Sequence, residues 1–453
     1  MYGPSPDPRQ RLAPVEIFDA PEAYAACFAV GIGISLLALK KTWPAPARAW
    51  SFILGQVILL TAPLGFYLDR FVYGSFPTID KAGSMAHYLD GVGGRALGSP
   101  LEAMVDPAVR LIGIHMGHMW VTAGFDLFFS TVGAFNAQAL LYPALAWFFA
   151  WWLFWDCTKA ARASIVMAFP FGMGLHIFRD LNWYTIEKAA IFLIPLFLLG
   201  CRWAVRRGGR WKALPGLLLV GSTLMNVYIG MINAGMLVVV WAALGAVKSP
   251  HWRRFTGVTA FAAIALLPLA VAQWFLMQNG PALATPEAFL WERAAMDSFT
   301  LNPLRWNRLE FHRSLNLVAL GFAGLALWRW PTEPLVRMAS LLGALFFGLS
   351  LGPTLWAPDW TNPLYMTVRA AVPGFWRVAK PEVFFHVTWL ALLGIGTLQM
   401  KQAVKPKRAT AFWYGVFVVG WLLMVRTHPA YPPMTVPVST VLAPDWEKRV
   451  FQP

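Results

Sequence analysis

The residues of this 453-residue chain whose types and spacing could do chemistry fall in a few short stretches. Asp80 and Asp90 lie ten apart around AGSMAHYL. Each is a carboxylate of the kind that takes a proton from an acceptor hydroxyl as general base, and equally of the kind that caps a helix or stays solvated. His115 and His118 in GIHMGHMW have the i, i+3 spacing of metal ligands. No H-E-x-x-H pattern surrounds them, so interfacial hydrogen bonding suits them better and no metal site is expected. Arg377 and Lys380 in WRVAK are three apart beside Pro373, Gly374 and Pro381, just ahead of an apolar run. On a helix that spacing is one face, suited to a phosphate or pyrophosphate, or to snorkelling toward lipid headgroups. Arg179 and Asp180, with Asn182, Trp183, Tyr184, Glu187 and Lys188, sit at the mouth between two apolar runs, where ionisable groups are costly and therefore suggest a site. GVGG at 91–94 has neither a preceding strand nor a following Lys-Ser or Lys-Thr, and is a turn rather than a phosphate cradle.

What must position these residues is a membrane-embedded scaffold. The chain is 58% apolar and 13% charged, with 24 Trp and 33 Phe, whereas soluble domains are about one quarter charged. Too little polar surface remains for a soluble body of this size, and the hydrophobicity is the opposite of what keeps a chain disordered. Twelve apolar segments approach spanning length: 23–39, 51–68, 137–155, 163–178, 186–201, 213–227, 230–246, 255–276, 314–328, 338–356, 383–400 and 410–425. Asn226, Tyr228, Gly230 and Asn233 favour a tight hairpin within 213–246 over one long helix. The expected fold is therefore all-α: an integral membrane protein of about 12 transmembrane helices. It has an external N-terminal segment (1–22), a polytopic domain (23–425) and an external Pro-rich tail (426–453). The long first external loop, 69–136, carries interfacial helices, with 115–135 as a re-entrant or interfacial element.

Sidedness follows from charge. The loops 40–50, 156–162, 202–212, 247–254, 329–337 and 401–409 carry 19 basic residues and two acids, Asp156 and Glu333. The remaining loops and both termini hold 17 basic and 19 acidic residues. Lys and Arg accumulate in short cytoplasmic loops, so the first set is expected inside. The whole net charge of +15 is then accounted for by topology, and no nucleic-acid partner is needed, even for RWAVRRGGRWK at 202–212. The N-terminal stretch lacks the layout of a signal peptide. Any chemistry belongs at the outer face, because loops of seven to eleven residues form no catalytic domain. Cys27, Cys157 and Cys201 show no paired spacing and read as small apolar residues. The abundant Trp reads as an interfacial belt.

The order of elements resembles the multi-span, lipid-sugar-dependent glycosyltransferases of the GT-C superfamily, including YfhO-like members. The resemblance rests on Gly117-His118 before the interfacial stretch and on Gly133-Ala134-Phe135-Asn136 at the next span. It rests also on PGFWRVAKPEVFFHVTWLALLGIGTL at 373–398 and the tail HPAYPPMTVPVSTVLAPDW, and covers most of 50–445 in layout. The chain departs from the family in showing two spans before the long loop and in lacking an adjacent acidic pair. The resemblance implies inverting transfer of a sugar from a polyprenyl-phosphate donor, at the external or periplasmic face of a bacterial-type inner (plasma) membrane. Asp80 or Asp90 would be the base, with Arg377, Lys380 and Arg179 at the donor phosphate. His115, His118 and Asp180 would be further site residues, and a divalent cation (Mg or Mn) a helper at the leaving phosphate. Partners are then membrane lipids and the lipid-linked sugar. Two alternatives stand beside this. One is a non-catalytic membrane subunit of a larger complex. The other is a transporter or flippase, for which AFPFGMG at 168–174 and SLGP at 350–353 would be paired helix interruptions.

Overall fold

The structure, a computed structural model, describes residues 21–61, 70–73, 131–174, 189–279, 316–355, 360–372, 380–427 and 434–437, with isolated positions between them. Each of the twelve expected segments carries a helix: α1 Pro21–Leu37, α2 Ala45–Leu60, α3 Thr131–Thr158, α4 Ala161–Gly172, α5 Leu193–Arg207, α6 Leu214–Met225, α7 Val227–Ala246, α8 Trp252–Asn279, α9 Leu317–Arg329, α10 Pro334–Ser350, α12 Phe385–Ala403 and α13 Lys407–Thr427. A further short helix, α11 Pro363–Ala371, lies in the segment expected to be external. Among the described residues, three stretches are long and apolar enough, by length and composition, to cross a membrane: Val227–Ala246, Trp252–Val271 and Pro381–Ala403. The expectation of an all-α chain needs one amendment. Two four-residue strands, β1 Arg70–Tyr73 and β2 Met434–Pro437, pair antiparallel, with Arg70 opposite Pro437 and Tyr73 opposite Met434.

Local chemistry sets the helix limits. Asn226, Asn316 and Asn362 each stand in extended backbone and cap the following helix, their side-chain oxygens accepting from Tyr228 N and Ile229 N, from Ala319 N, and from Tyr365 N. Asn226 thereby ends α6 and starts α7, the expected hairpin, and Gly230 lets the two helices close onto Thr223. Within lipid, helices gain little from hydrophobic burial against one another, so close approach through small residues carries the packing. Gly172 lies against the Trp147 backbone in the same way, where a Cβ would find no room.

Contacts between neighbouring helices decide which loops share an end. Trp50 and Phe52 of α2 meet Phe148 and Trp147 of α3 at ring separations of 5.3 and 6.2 Å. α4 folds back on α3, the indoles of Trp147 and Trp151 donating to Ile165 O (2.9 Å) and Ala161 O (3.2 Å). Arg202 and Arg206 at the end of α5 reach Asp156 at the end of α3. α6, α7 and α8 alternate in direction, with Trp241 of α7 donating to Thr256 of α8 (3.0 Å). α10 runs against α12, Thr388 donating to Gly343 O (2.9 Å), and Arg329 at the end of α9 reaches Gln399 (3.3 Å). Trp389 of α12 donates to Pro170 O of α4 (3.3 Å). These contacts gather the six basic loops at one end of the bundle. Both β1 and β2 follow helices that end away from them.

The core corrects the reading of tryptophan. Trp147, Trp151, Trp389 and Trp421 are among the largest fully buried side chains. Their positions are interior packing, with three of the indole N–H groups spent on backbone carbonyls. Trp328 and Trp360, by contrast, are largely exposed. Of the three long apolar stretches, Pro381–Ala403, which holds α12, is the most enclosed, 78% buried against 22% for Trp252–Val271 of α8. Phe261, Ile264, Leu267 and Val271 of α8 face outward, as lipid-facing residues do. Cys27 and Cys201 are buried and Cys157 half-buried, all free thiols, in keeping with small apolar roles.

Candidate functional site

Away from the basic loops, several described polar groups lie along the chain leading into α12. Asn362 builds this region. Besides capping α11 it donates to Gly348 O (2.7 Å) and Gly352 O (2.9 Å), stitching α11 to the end of α10. Gly352 has φ of +67°, so the chain turns there in a conformation glycine adopts without strain. Tyr365 on α11 then donates to Val378 O (3.3 Å) and packs on Phe375 (5.2 Å), which stacks on Phe384 (5.7 Å). Burial pushes the Tyr365 phenol up to about 12, partly offset by the Arg369 guanidinium, so the hydrogen bond is donated throughout the neutral range. Arg369 lies 4.6 Å from the Trp291 ring, in a cation–π contact with the 278–313 segment.

Lys380, half-buried, stands immediately before a 3₁₀ turn, Pro381–Phe384, that opens α12 and carries Phe384 of this aromatic set. The sequence argument for Arg377 and Lys380 as one helical face fails here. Lys380 has φ −134° and ψ 74° because the following Pro381 bars helical backbone at its position. Two residues that the sequence reading passed over follow directly. Glu382 is 6% exposed and His386, four residues on, is 3% exposed. The signal was present: a carboxylate and an imidazole at i, i+4, inside the first turns of an apolar run, are expensive unless used. The mouth therefore offers a cation, a carboxylate and an imidazole within seven residues of chain, groups suited to holding a phosphate and moving a proton.

Two further polar side chains stand in the apolar interior. Asn233 on α7 is fully buried with neither amide atom hydrogen-bonded, and Asn226, also fully buried, has an unpartnered Nδ2. The interruptions at 168–174 and 350–353 prove to be helix ends, where α4 stops at Gly172 and α10 at Ser350. Asp80, Asp90, His115, His118, Arg179, Asp180 and Arg377 lie outside the described residues, so Lys380 alone of the expected site residues is located. Among the described residues no three His, Cys, Asp or Glu side chains come together as a cation site, and no step below is routed through a metal.

The opposite end is built differently. Asp156 accepts from Lys159 (2.8 Å), Arg202 and Arg206 (3.1 Å). Burial alone would raise its carboxyl, but the hydrogen bonds from Lys159 and Arg202 and the nearby guanidinium charges outweigh that and hold it below its ordinary value. It clamps α3 to α5.

Comparison of the chain with family models, with curated proteins and with solved structures returned no match. The functional reading rests on the residues themselves.

Proposed function

We propose that this chain is a polytopic protein of a bacterial-type inner membrane, crossing it about twelve times. Its basic loops face the cytoplasm, and its working face is the mouth of α12 on the outside. There it acts as a glycosyltransferase of GT-C type, moving a sugar from a polyprenyl-phosphate donor to an external acceptor. The observation that carries this is the division of charge. Six short loops with 19 basic residues lie at one end, while Lys380, Glu382 and His386 stand within seven residues of chain at the start of α12, the last two buried. Positive loops favour the cytoplasm, and buried ionisable groups at bilayer depth are retained where they serve a function.

In the reaction an acceptor hydroxyl attacks the anomeric carbon from the face opposite the lipid phosphate. The carbon–oxygen bond to phosphate breaks, and the polyprenyl phosphate leaves with the bonding pair. Lys380, together with Arg377 and Arg179, neutralises the charge that grows on the leaving phosphate. Asp80, or failing it Asp90, takes the acceptor proton.

The experiment measures donor binding and transfer separately, with purified protein and synthetic polyprenyl-phosphate sugars. Lys380→Ala is expected to weaken donor binding about tenfold, the worth of one charge-assisted contact, while Arg329→Ala at the basic end leaves it within about twofold. Asp80→Asn is expected to bind donor normally and transfer nothing. Equal binding by Lys380→Ala and Arg329→Ala would remove the phosphate role. Absence of transfer from every donor tried, with partner subunits co-purifying instead, would favour the non-catalytic subunit.

A further inference from the structure

At the basic end the stretch RWAVRRGGRWK is folded into a built bracket. α5 stops at Arg207 because Gly208 (φ +65°, ψ −156°) and Gly209 (φ +53°) both take backbone that side-chain-bearing residues avoid. These two left-handed residues turn the chain back as a 3₁₀ segment, Gly209–Ala213, that packs on the end of α5 and on α8. Trp211 is thereby brought to 6.0 Å from Trp203, and the Arg207 guanidinium lies over both rings, 4.6 Å from Trp211 and 5.7 Å from Trp203. Trp152 completes the aromatic wall at 5.1 Å from Trp203.

The charges around this bracket divide into two groups. Arg202 and Arg206 are spent on Asp156. Arg207, Arg210 and Lys212 are exposed, and among the described residues no carboxylate pairs with them. Arg253 and Arg254 lie exposed at the start of α8, the helix against which the 3₁₀ segment packs. A guanidinium stacked on indoles keeps its N–H donors in its own plane, clear of the rings, for a bidentate anion. Leu217, 64% exposed, follows on α6 five residues after Lys212, and Phe261 of α8, 43% exposed, packs against the buried Gly216 beside it.

We propose that the Trp203, Arg207 and Trp211 bracket binds the headgroup phosphate of an anionic phospholipid, with Arg210 and Lys212 beside it and the acyl chains along Leu217 and Phe261. The site rests on the reading of the basic end as a membrane surface. A lipid is favoured over free phosphate because the cationic rim adjoins an apolar face and is walled by Trp, the residue suited to the headgroup level.

The test reconstitutes the full chain in nanodiscs of phosphatidylcholine with one tenth phosphatidylglycerol, by composition chosen for the experiment on the order of cellular anionic content. Lipid retained on the protein after detergent extraction is counted by native mass spectrometry. Phosphatidylglycerol is expected to be enriched on the wild type, with Arg207→Gln cutting the enrichment about fivefold, the effect of one juxtamembrane cation. Trp211→Ala is expected to cut it less, and the exposed Arg337→Gln at another basic loop not at all. Equal loss with Arg207→Gln and Arg337→Gln would reduce the effect to diffuse charge and overturn the site. Displacement of the lipid by inorganic phosphate alone would assign the bracket to a free anion instead. Failure of the chain to insert in this bilayer would overturn the membrane reading and this site with it, whereas insertion with no enrichment overturns the site alone.

Discussion

The two ends of the bundle carry charge in opposite styles. At the basic end many cations sit at the surface, held by Asp156 or stacked on Trp, and most of them are exposed. At the mouth of α12 the described ionisable groups are few, but Glu382 in the opening 3₁₀ turn and His386 in the first turn of α12 are almost wholly buried. Exposed charges are individually worth little and matter through their sum, which orients a chain in a membrane. Buried ones are individually costly, and their position beside Lys380 points to use. On the proposed function, the sign balance sets where the protein sits, and the buried minority sets where it acts.

The largest expected effect separates the enclosed helix from the periphery. Trp389→Ala removes a side chain that is 1% exposed and hydrogen-bonded to Pro170 O, so it should cost about 3–5 kcal/mol. Trp328→Ala, at a residue 82% exposed, should cost under about 0.5 kcal/mol. Chemical denaturation in mild detergent distinguishes them, and similar losses would mean that α12 is no more enclosed than the rim.

A smaller effect sharpens the basic end. Asp156→Asn should loosen the joint between α3 and α5 by about 1 kcal/mol, because its partners are partly exposed. Its carboxyl is held below the ordinary value near 3.8. The stabilisation is therefore present above that pH and is lost as pH falls through the lowered value. Melting curves of wild type and variant should differ at neutral pH and converge below pH 3.8. A difference that persists at low pH would contradict the clamp.

An effect of similar size is expected at the mouth. Tyr365→Phe removes the bond to Val378 O and should cost about 1 kcal/mol. Since burial raises the phenol from 10 to about 12, the wild-type advantage should hold below pH 10 and fade as pH rises toward about 12. An advantage independent of pH would place the effect in packing rather than in the hydrogen bond.

The scaffold was legible in the sequence because its signals are additive along the chain. Apolar runs located twelve of the thirteen described α-helices, and Asn226 with Gly230 marked the hairpin, since caps and close approaches are local chemistry. Lys380 was legible as a cation ahead of a span, but its helical face was not, because Pro381 dictates the backbone before it. Glu382 and His386 were passed over as parts of an apolar run, their burial depending on α12 being enclosed, which no local pattern reveals. The Trp residues failed for the same reason: an indole reads alike in a belt and in a core until its neighbours are known. The pairing of Arg70–Tyr73 with Met434–Pro437 joins segments too far apart in the chain for any periodicity to signal.

The central claim, that the basic loops and the mouth of α12 lie on opposite sides of a membrane, has a direct measurement. In a variant without Cys27, Cys157 and Cys201, single cysteines replace Ser249 at the basic end and Thr367 on α11, with Thr410, Ser84 and Ser439 as further positions. An impermeant thiol reagent applied to intact cells should label the cysteines at Thr367, Ser84 and Ser439 and leave those at Ser249 and Thr410 unmodified until the membrane is opened. Labelling at Ser249 with protection at Thr367 would invert the orientation, and labelling of both in intact cells would contradict the claim outright.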